Sequence, residues 1–136
     1  MRVEFPFVEE KSNLVPIILR PVAKVKTKGD SDEITLEMYV DSGADITLLS
    51  YSVGIALGFK IRDEEKIKTL GGVGGSKIPV VIKKVRMKIG DKEFEARVAW
   101  CLSENVPLIL GRLDVFDKFK ITFDQKARKV IFESND

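Results

Sequence analysis

The 136-residue sequence contains no histidine, which removes Ser-His and Cys-His hydrolase chemistry and the commonest zinc ligand together. It has a single cysteine, Cys101, so no internal disulfide can form. Within Val98-Ala99-Trp100-Cys101-Leu102 that thiol reads as a small buried hydrophobe rather than a reactive group. A strong field of one sign is missing as well. Lys and Arg number 23 against 21 Asp and Glu, a net charge of +2, which implies neither a nucleic-acid nor an anionic-membrane partner. No run approaches the ~20 apolar residues of a membrane span. Met1-Arg2-Val3-Glu4-Phe5-Pro6 lacks a signal-peptide apolar stretch, so a reducing cytoplasm is the expected location. The length suits one domain with one core and is too short for a two-lobed enzyme.

What is present is mostly strand signal. Residues 1–14 mix charge with Phe5, Pro6 and Phe7 and read as an N-terminal arm or irregular edge, ahead of a single domain over 15–136. Pro16 to Thr27 alternates and is β-branched, Lys28-Gly29-Asp30-Ser31-Asp32 reads as a turn, and Glu33 to Val40 returns as the second strand of a hairpin. Ser50 is placed to cap a short helix through Ala56-Leu57, stopped by Gly58. Further strands are expected at Lys66–Leu70, Ile78–Met87, Phe94–Leu102, Val106–Leu110, Phe119–Phe123 and Lys129–Phe132, with a second short helix from Arg112 or Leu113 to about Lys118. The expected class is all-β, with one or two short helices.

Three motifs carry chemistry. Asp41-Ser42-Gly43-Ala44 lies between the apolar runs Leu36–Val40 and Ile46–Leu49, which puts the Asp41 carboxylate at the end of a buried strand. Asp-Ser-Gly is also ordinary turn chemistry. Leu70-Gly71-Gly72-Val73-Gly74-Gly75 can be a hairpin tip or a phosphate loop. The phosphate reading fails on detail, because Gly75-Ser76-Lys77-Ile78 is not the Gly-Lys-Ser/Thr order that a phosphate loop needs. The third motif is Pro107-Leu108-Ile109-Leu110-Gly111-Arg112.

In their order and spacing, and with Leu19-Arg20-Pro21-Val22 ahead of them, these motifs resemble the retroviral-type, single-domain aspartic proteases, the retropepsins. The resemblance runs from about Val15 to Phe132. It implies a closed β-barrel of the acid protease fold and an aspartic endopeptidase that needs no metal or organic cofactor. Its substrate would be a peptide or unfolded protein, with no nucleic acid and no membrane as partner. By the same resemblance Asp41, Ser42 and Gly43 are the catalytic loop, with Ser42 in the place of the usual threonine and the Gly43 carbonyl offered to the substrate backbone. Gly71, Gly72, Val73, Gly74 and Gly75 form a flap whose Val73 N–H reaches the substrate through a water. Ala44, Asp45, Ile78, Pro107 and Ile109 line the substrate site, and Gly111 gives the close approach of a threading strand. Arg112 is expected to pair with Asp45 of its own subunit and Arg20 to reach the Asp45 region of the other. The closing strands after the second helix depart from the short viral enzymes and are similar to the tail of cellular retropepsin-like domains.

The chemistry needs two carboxylates around one water, and the motif occurs once. Asp45 has no following glycine and Asp114 lies in Leu113-Asp114-Val115, so neither supplies a second loop. An obligate homodimer that pairs Asp41 with Asp41 is therefore expected. A non-catalytic dimeric peptide-binding or scaffold domain of the same fold is the alternative.

Overall fold

In the computed structural model, which describes residues 1–62 and 64–135 (for Val73 the backbone alone), the strands in chain order are β1 (Arg2–Pro6), β2 (Val8–Lys11), β3 (Ile17–Arg20), β4 (Val22–Lys28), β5 (Glu33–Val40) and β6 (Thr47–Leu49). A short helix α1 (Tyr51–Ala56) follows. Then come β7 (Lys68–Gly71), β8 (Lys77–Ile89), β9 (Lys92–Cys101), β10 (Ile109–Leu110), β11 (Lys120–Asp124) and β12 (Lys129–Glu133).

Period-two patterning decides which way these strands face. In β4, Val22, Ala23, Val25 and Thr27 are buried while Lys24, Lys26 and Lys28 are exposed; in β5, Leu36, Met38 and Val40 are buried while Glu33, Thr35 and Glu37 are exposed. Hydrogen bonding runs β4-β5-β10-β6-β9-β8, and β8 returns to β4 through Lys26↔Lys88, Thr27↔Met87 and Lys28↔Arg86. That closure makes a six-stranded barrel with no free edge among those strands. β7 extends the sheet beyond β8 as the outer arm of a hairpin.

The core fills the barrel and continues under a second sheet of order β1-β12-β11. Phe5, Phe132, Phe119 and Phe94 stack edge to face in a chain, with ring centroids 5.8, 5.4 and 5.6 Å apart. A satellite cluster of Val80, Ala99 and Cys101, with Ile46, Leu48, Leu70, Ile78, Ile82 and Val106 packed on it, lies between the β7–β8 hairpin and β6. Cys101 is buried as read, and burial pushes its thiol up from the ordinary range.

Three expectations are corrected. The first fourteen residues are not irregular: β1 pairs antiparallel with β12, and β2 with β3. Val3 and Phe5, together with Phe7, point into the core while Arg2, Glu4 and Pro6 are exposed. The strand expected from Pro16 to Thr27 is broken at Pro21, which has no N–H to donate to a ladder. The expected second helix shrinks to one 3-10 turn over Phe116–Lys118, preceded by Asp114 in a left-handed conformation (φ 62) that a helix cannot contain. The first helix and the Gly58 stop (φ 87) are present, although the Ser50 hydroxyl makes no capping bond.

Candidate active site

β5 ends at Val40 and hands its backbone to Asp41, half-buried at the mouth of the barrel. The Asp41 N–H donates to the Leu110 carbonyl at 3.1 Å, so the residue continues the parallel pairing of β5 with β10 (Tyr39↔Ile109, Val40↔Leu110). The loop then closes on its own aspartate. The Gly43 N–H donates to Asp41 Oδ1 at 2.9 Å, and the Ala44 N–H donates to the Asp41 carbonyl at 3.2 Å. One carboxylate oxygen is thus held by the backbone, which fixes the side chain's orientation.

Support comes from beneath. Thr47, fully buried at the start of β6, accepts the Gly111 N–H on its hydroxyl at 3.0 Å. Gly111 itself admits no side chain, since a Cβ there would run into the Ile46 carbonyl and stand 2.8 Å from the Thr47 nitrogen. The Arg112 and Leu113 N–H groups donate to the Ala44 and Asp45 carbonyls, both at 2.9 Å. The Asp41 loop and the 110–113 segment are therefore laced together by backbone bonds. Thr47 was not among the candidates from sequence. Its only signal there is a hydroxyl inside the apolar run Ile46-Thr47-Leu48-Leu49.

Beside the carboxylate lies an open cavity of ≈ 550 Å³ lined by Arg20, Pro21, Tyr39, Val40, Asp41, Pro107 and Ile109. The structure so gathers Asp41, Arg20, Pro107 and Ile109 around one hollow, with Ala44 and Gly111 in the scaffold behind it. Gly71, Gly72, Gly74 and Gly75 sit apart, at the exposed tip of the β7–β8 hairpin. The tip is closed by a bond from the Gly72 N–H to the Ser76 carbonyl at 2.8 Å and turned by Gly74 and Gly75 at φ 80 and 78. Val73, whose N–H is the expected tip contact, is described in its backbone alone, at the start of a 3-10 turn over Val73–Gly75. Ile78 pairs with Leu70 across the hairpin and packs on the cluster that contains Ile46 and Leu48, which ties the hairpin base to the strand after Asp41. Ser42 is exposed, and among the described residues its hydroxyl has no hydrogen-bond partner.

The expected Asp45–Arg112 ion pair is not formed. Both residues are exposed and border the same open depression, where water solvates each charge and an exposed pair has little to gain. Arg97 instead forks onto Asp114, with Nε to Oδ2 at 2.8 Å and Nη2 to Oδ1 at 3.0 Å, and holds that carboxyl well below its usual value, at about 2. Arg20 pairs within its own chain with Glu10 at 3.4 Å and lies 6.0 Å from the centre of the Tyr39 ring. The Tyr39 hydroxyl donates to the same Glu10 carboxylate, a bond that pushes the phenol's pKa upward.

Many solved structures share this fold, and two of them illustrate the likeness. The EIAV protease, complexed with an inhibitor, is 24% identical, superposes with a TM-score of 0.57, and the match covers 72% of this chain and 86% of that one. A retropepsin-like aspartic protease from Rickettsia conorii is 18% identical with a TM-score of 0.64, over 95% of this chain and 98% of that one. Among curated proteins no sequence matches. A family model described as aspartyl protease matches residues 23–112, a span that opens in β4 and closes on Arg112 just after the laced segment. With the closed barrel and an Asp-Ser-Gly loop at the end of its central strand, the chain belongs to the aspartyl protease family and has the retropepsin-like fold.

Proposed function

We propose that two copies of this chain form one endopeptidase site, each contributing Asp41. The observation that carries the reading is a carboxylate held by its own loop backbone beside an open cleft, in a chain that has one such loop. Peptide hydrolysis by this route needs a base and an acid on opposite sides of a single water. Two carboxylates about 3 Å apart cannot both ionise, so the pair holds one proton and titrates in two macroscopic steps. The ionised Asp41 takes a proton from the water while the protonated one donates toward the scissile carbonyl. The water oxygen bonds to carbon, the C–N bond then breaks, and the nitrogen leaves with a proton from the dyad, giving a free carboxyl and a free amine.

The other residues serve this step. Ser42, exposed and without a hydrogen-bond partner among the described residues, would bond across to the second loop and hold the carboxylates in register. The Gly43 carbonyl faces an extended peptide, and the β7–β8 hairpin acts as a flap whose Val73 N–H reaches the substrate through a water. Closure of that flap excludes bulk water from the dyad. Apolar Ala44, Ile78, Pro107 and Ile109 favour apolar side chains beside the cleaved bond, and the substrate is a peptide or unfolded protein bound mainly through its backbone. Arg20 and Asp45 are assigned to the contact between subunits. Among the described residues no helix is long and apolar enough to cross a membrane. A reducing cytoplasm suits the buried, unpaired Cys101.

The test is digestion of an unfolded protein mixture by wild type and Asp41→Asn between about pH 3 and 7, with products read by mass spectrometry and a pepstatin-type inhibitor as control. Cleavage that disappears in the variant and under inhibitor supports the reading. An intact mixture with a dimeric wild type turns it toward the scaffold alternative.

A further inference from the structure

The flap hairpin is reached through a stretch of chain that has little core to hold it. Phe59 is buried and Leu70 packs on the satellite cluster, but of the described residues between them Glu65 alone is not exposed. β7, into which this stretch runs, is hydrogen-bonded within its sheet to β8 only. Something must fix where the hairpin starts.

β8 carries the group that can do so. Alternation puts Val81, Lys83, Val85, Met87 and Ile89 on one face of that strand, and all of them are buried. The apolar members of the row belong to the barrel core. Lys83, 8% exposed, is a cation in the same row, where an unpaired charge would be costly. Its Nζ donates to the Lys60 carbonyl at 2.6 Å and to Glu65 Oε1 at 2.5 Å, and lies 5.8 and 5.9 Å from the centres of the Phe59 and Trp100 rings. Glu65 Oε1 also accepts the Arg62 N–H at 3.0 Å, and the Glu65 N–H donates to the Arg62 carbonyl at 3.0 Å. One ammonium therefore holds a closed turn against the core face of β8 just ahead of β7.

We propose that Lys83 is the positioning residue that fixes the root of the flap, so that closure bends the hairpin beyond Glu65 instead of swinging the whole stretch after Phe59. From Lys83 to the start of β8 at Lys77 is about 20 Å along the strand, so Lys83 acts on substrate only through the hairpin. A fixed root leaves fewer residues to order when substrate binds and raises the fraction of molecules whose flap is placed to close. The proposal rests on the flap role given above and adds what holds the flap in place.

Lys83→Met, followed by hydrogen exchange, urea unfolding and steady-state cleavage, tests it. Methionine keeps an unbranched stem against Phe59 and Trp100, while the exposed Lys60 and the partly exposed Glu65 can turn to water, and replacing such a pair by an apolar side chain is often neutral for stability. The urea midpoint should hold. Exchange of the β7 amides, Lys68–Gly71, should speed about tenfold while that of β4 and β5 stays unchanged. KM should rise about tenfold with kcat within about twofold, a split that a purely structural ion pair would not produce. Glu65→Gln, which leaves the core row intact, should raise KM about threefold and decides the matter if Lys83→Met fails to fold. β7 exchange as slow as in wild type, or faster exchange with an unchanged KM, overturns the proposal. A wild type that cleaves nothing overturns the endopeptidase reading instead, and β7 exchange still decides whether Lys83 holds the root of the hairpin.

Discussion

Thr47 and Gly111 show how much the Asp41 loop depends on the residues packed behind it. The Thr47 hydroxyl is the acceptor for a buried Gly111 N–H. Thr47→Val keeps the shape and leaves that donor unsatisfied, a cost of about 1–3 kcal/mol. Urea unfolding should move to a lower midpoint and kcat should fall, whereas Thr47→Ser restores both. Gly111→Ala is expected to be worse, because the atoms in its way are the Ile46 backbone rather than a side chain that can turn aside. Overpacking of this kind costs about 1–3 kcal/mol or more, and the thermal midpoint should drop with loss of cleavage. Asp41, Gly43 and Gly111 were legible in the sequence because a short motif carries them. Thr47 was not, since one hydroxyl in an apolar strand reveals its partner only when a segment 64 positions away is folded against it.

At the level of elements, local patterning located those strands whose alternation is clean and whose turns are marked. The hairpin of β4 and β5 is one, and β8 with β9 around Gly90 is another. It failed at the N-terminus. Val3, Phe5 and Phe7 do alternate with Arg2, Glu4 and Pro6, but Pro6 and the shortness of the run hid the period, and the strand's partner β12 lies at the far end of the chain. The second helix failed because Asp114 takes a left-handed conformation and is clasped by Arg97, a tertiary contact that overrides local helix preference. That clasp predicts a pH effect. Asp114 is lowered from 3.8 to about 2 in the folded chain, so its contribution to stability is fully present above the unfolded value and is lost as pH falls from about 4 through about 2. Arg97→Met should therefore destabilise the protein at neutral pH and reduce the stability it loses over that acid window, as read by urea unfolding at a series of pH values. The β7–β8 hairpin gives the element's kinetic counterpart. Gly74 has open space around it but φ 80, so Gly74→Val strains the tip, not the core. Global unfolding should hardly change, and by the flap role proposed above kcat/KM should fall.

For the whole molecule, the barrel closes through β4 and β8 and carries one Asp-Ser-Gly loop on its rim, and in the proposed reading the chain supplies half of an endopeptidase site. Mixing tests this most directly. Wild type is combined with a tenfold excess of Asp41→Asn, the subunits are allowed to exchange, and cleavage is measured per wild-type chain. If each site takes one Asp41 from each copy, most wild-type chains end in mixed dimers with a single carboxylate, and activity per wild-type chain falls about tenfold. Activity per wild-type chain that stays unchanged after full exchange would mean that one Asp41 suffices, and would contradict the shared site.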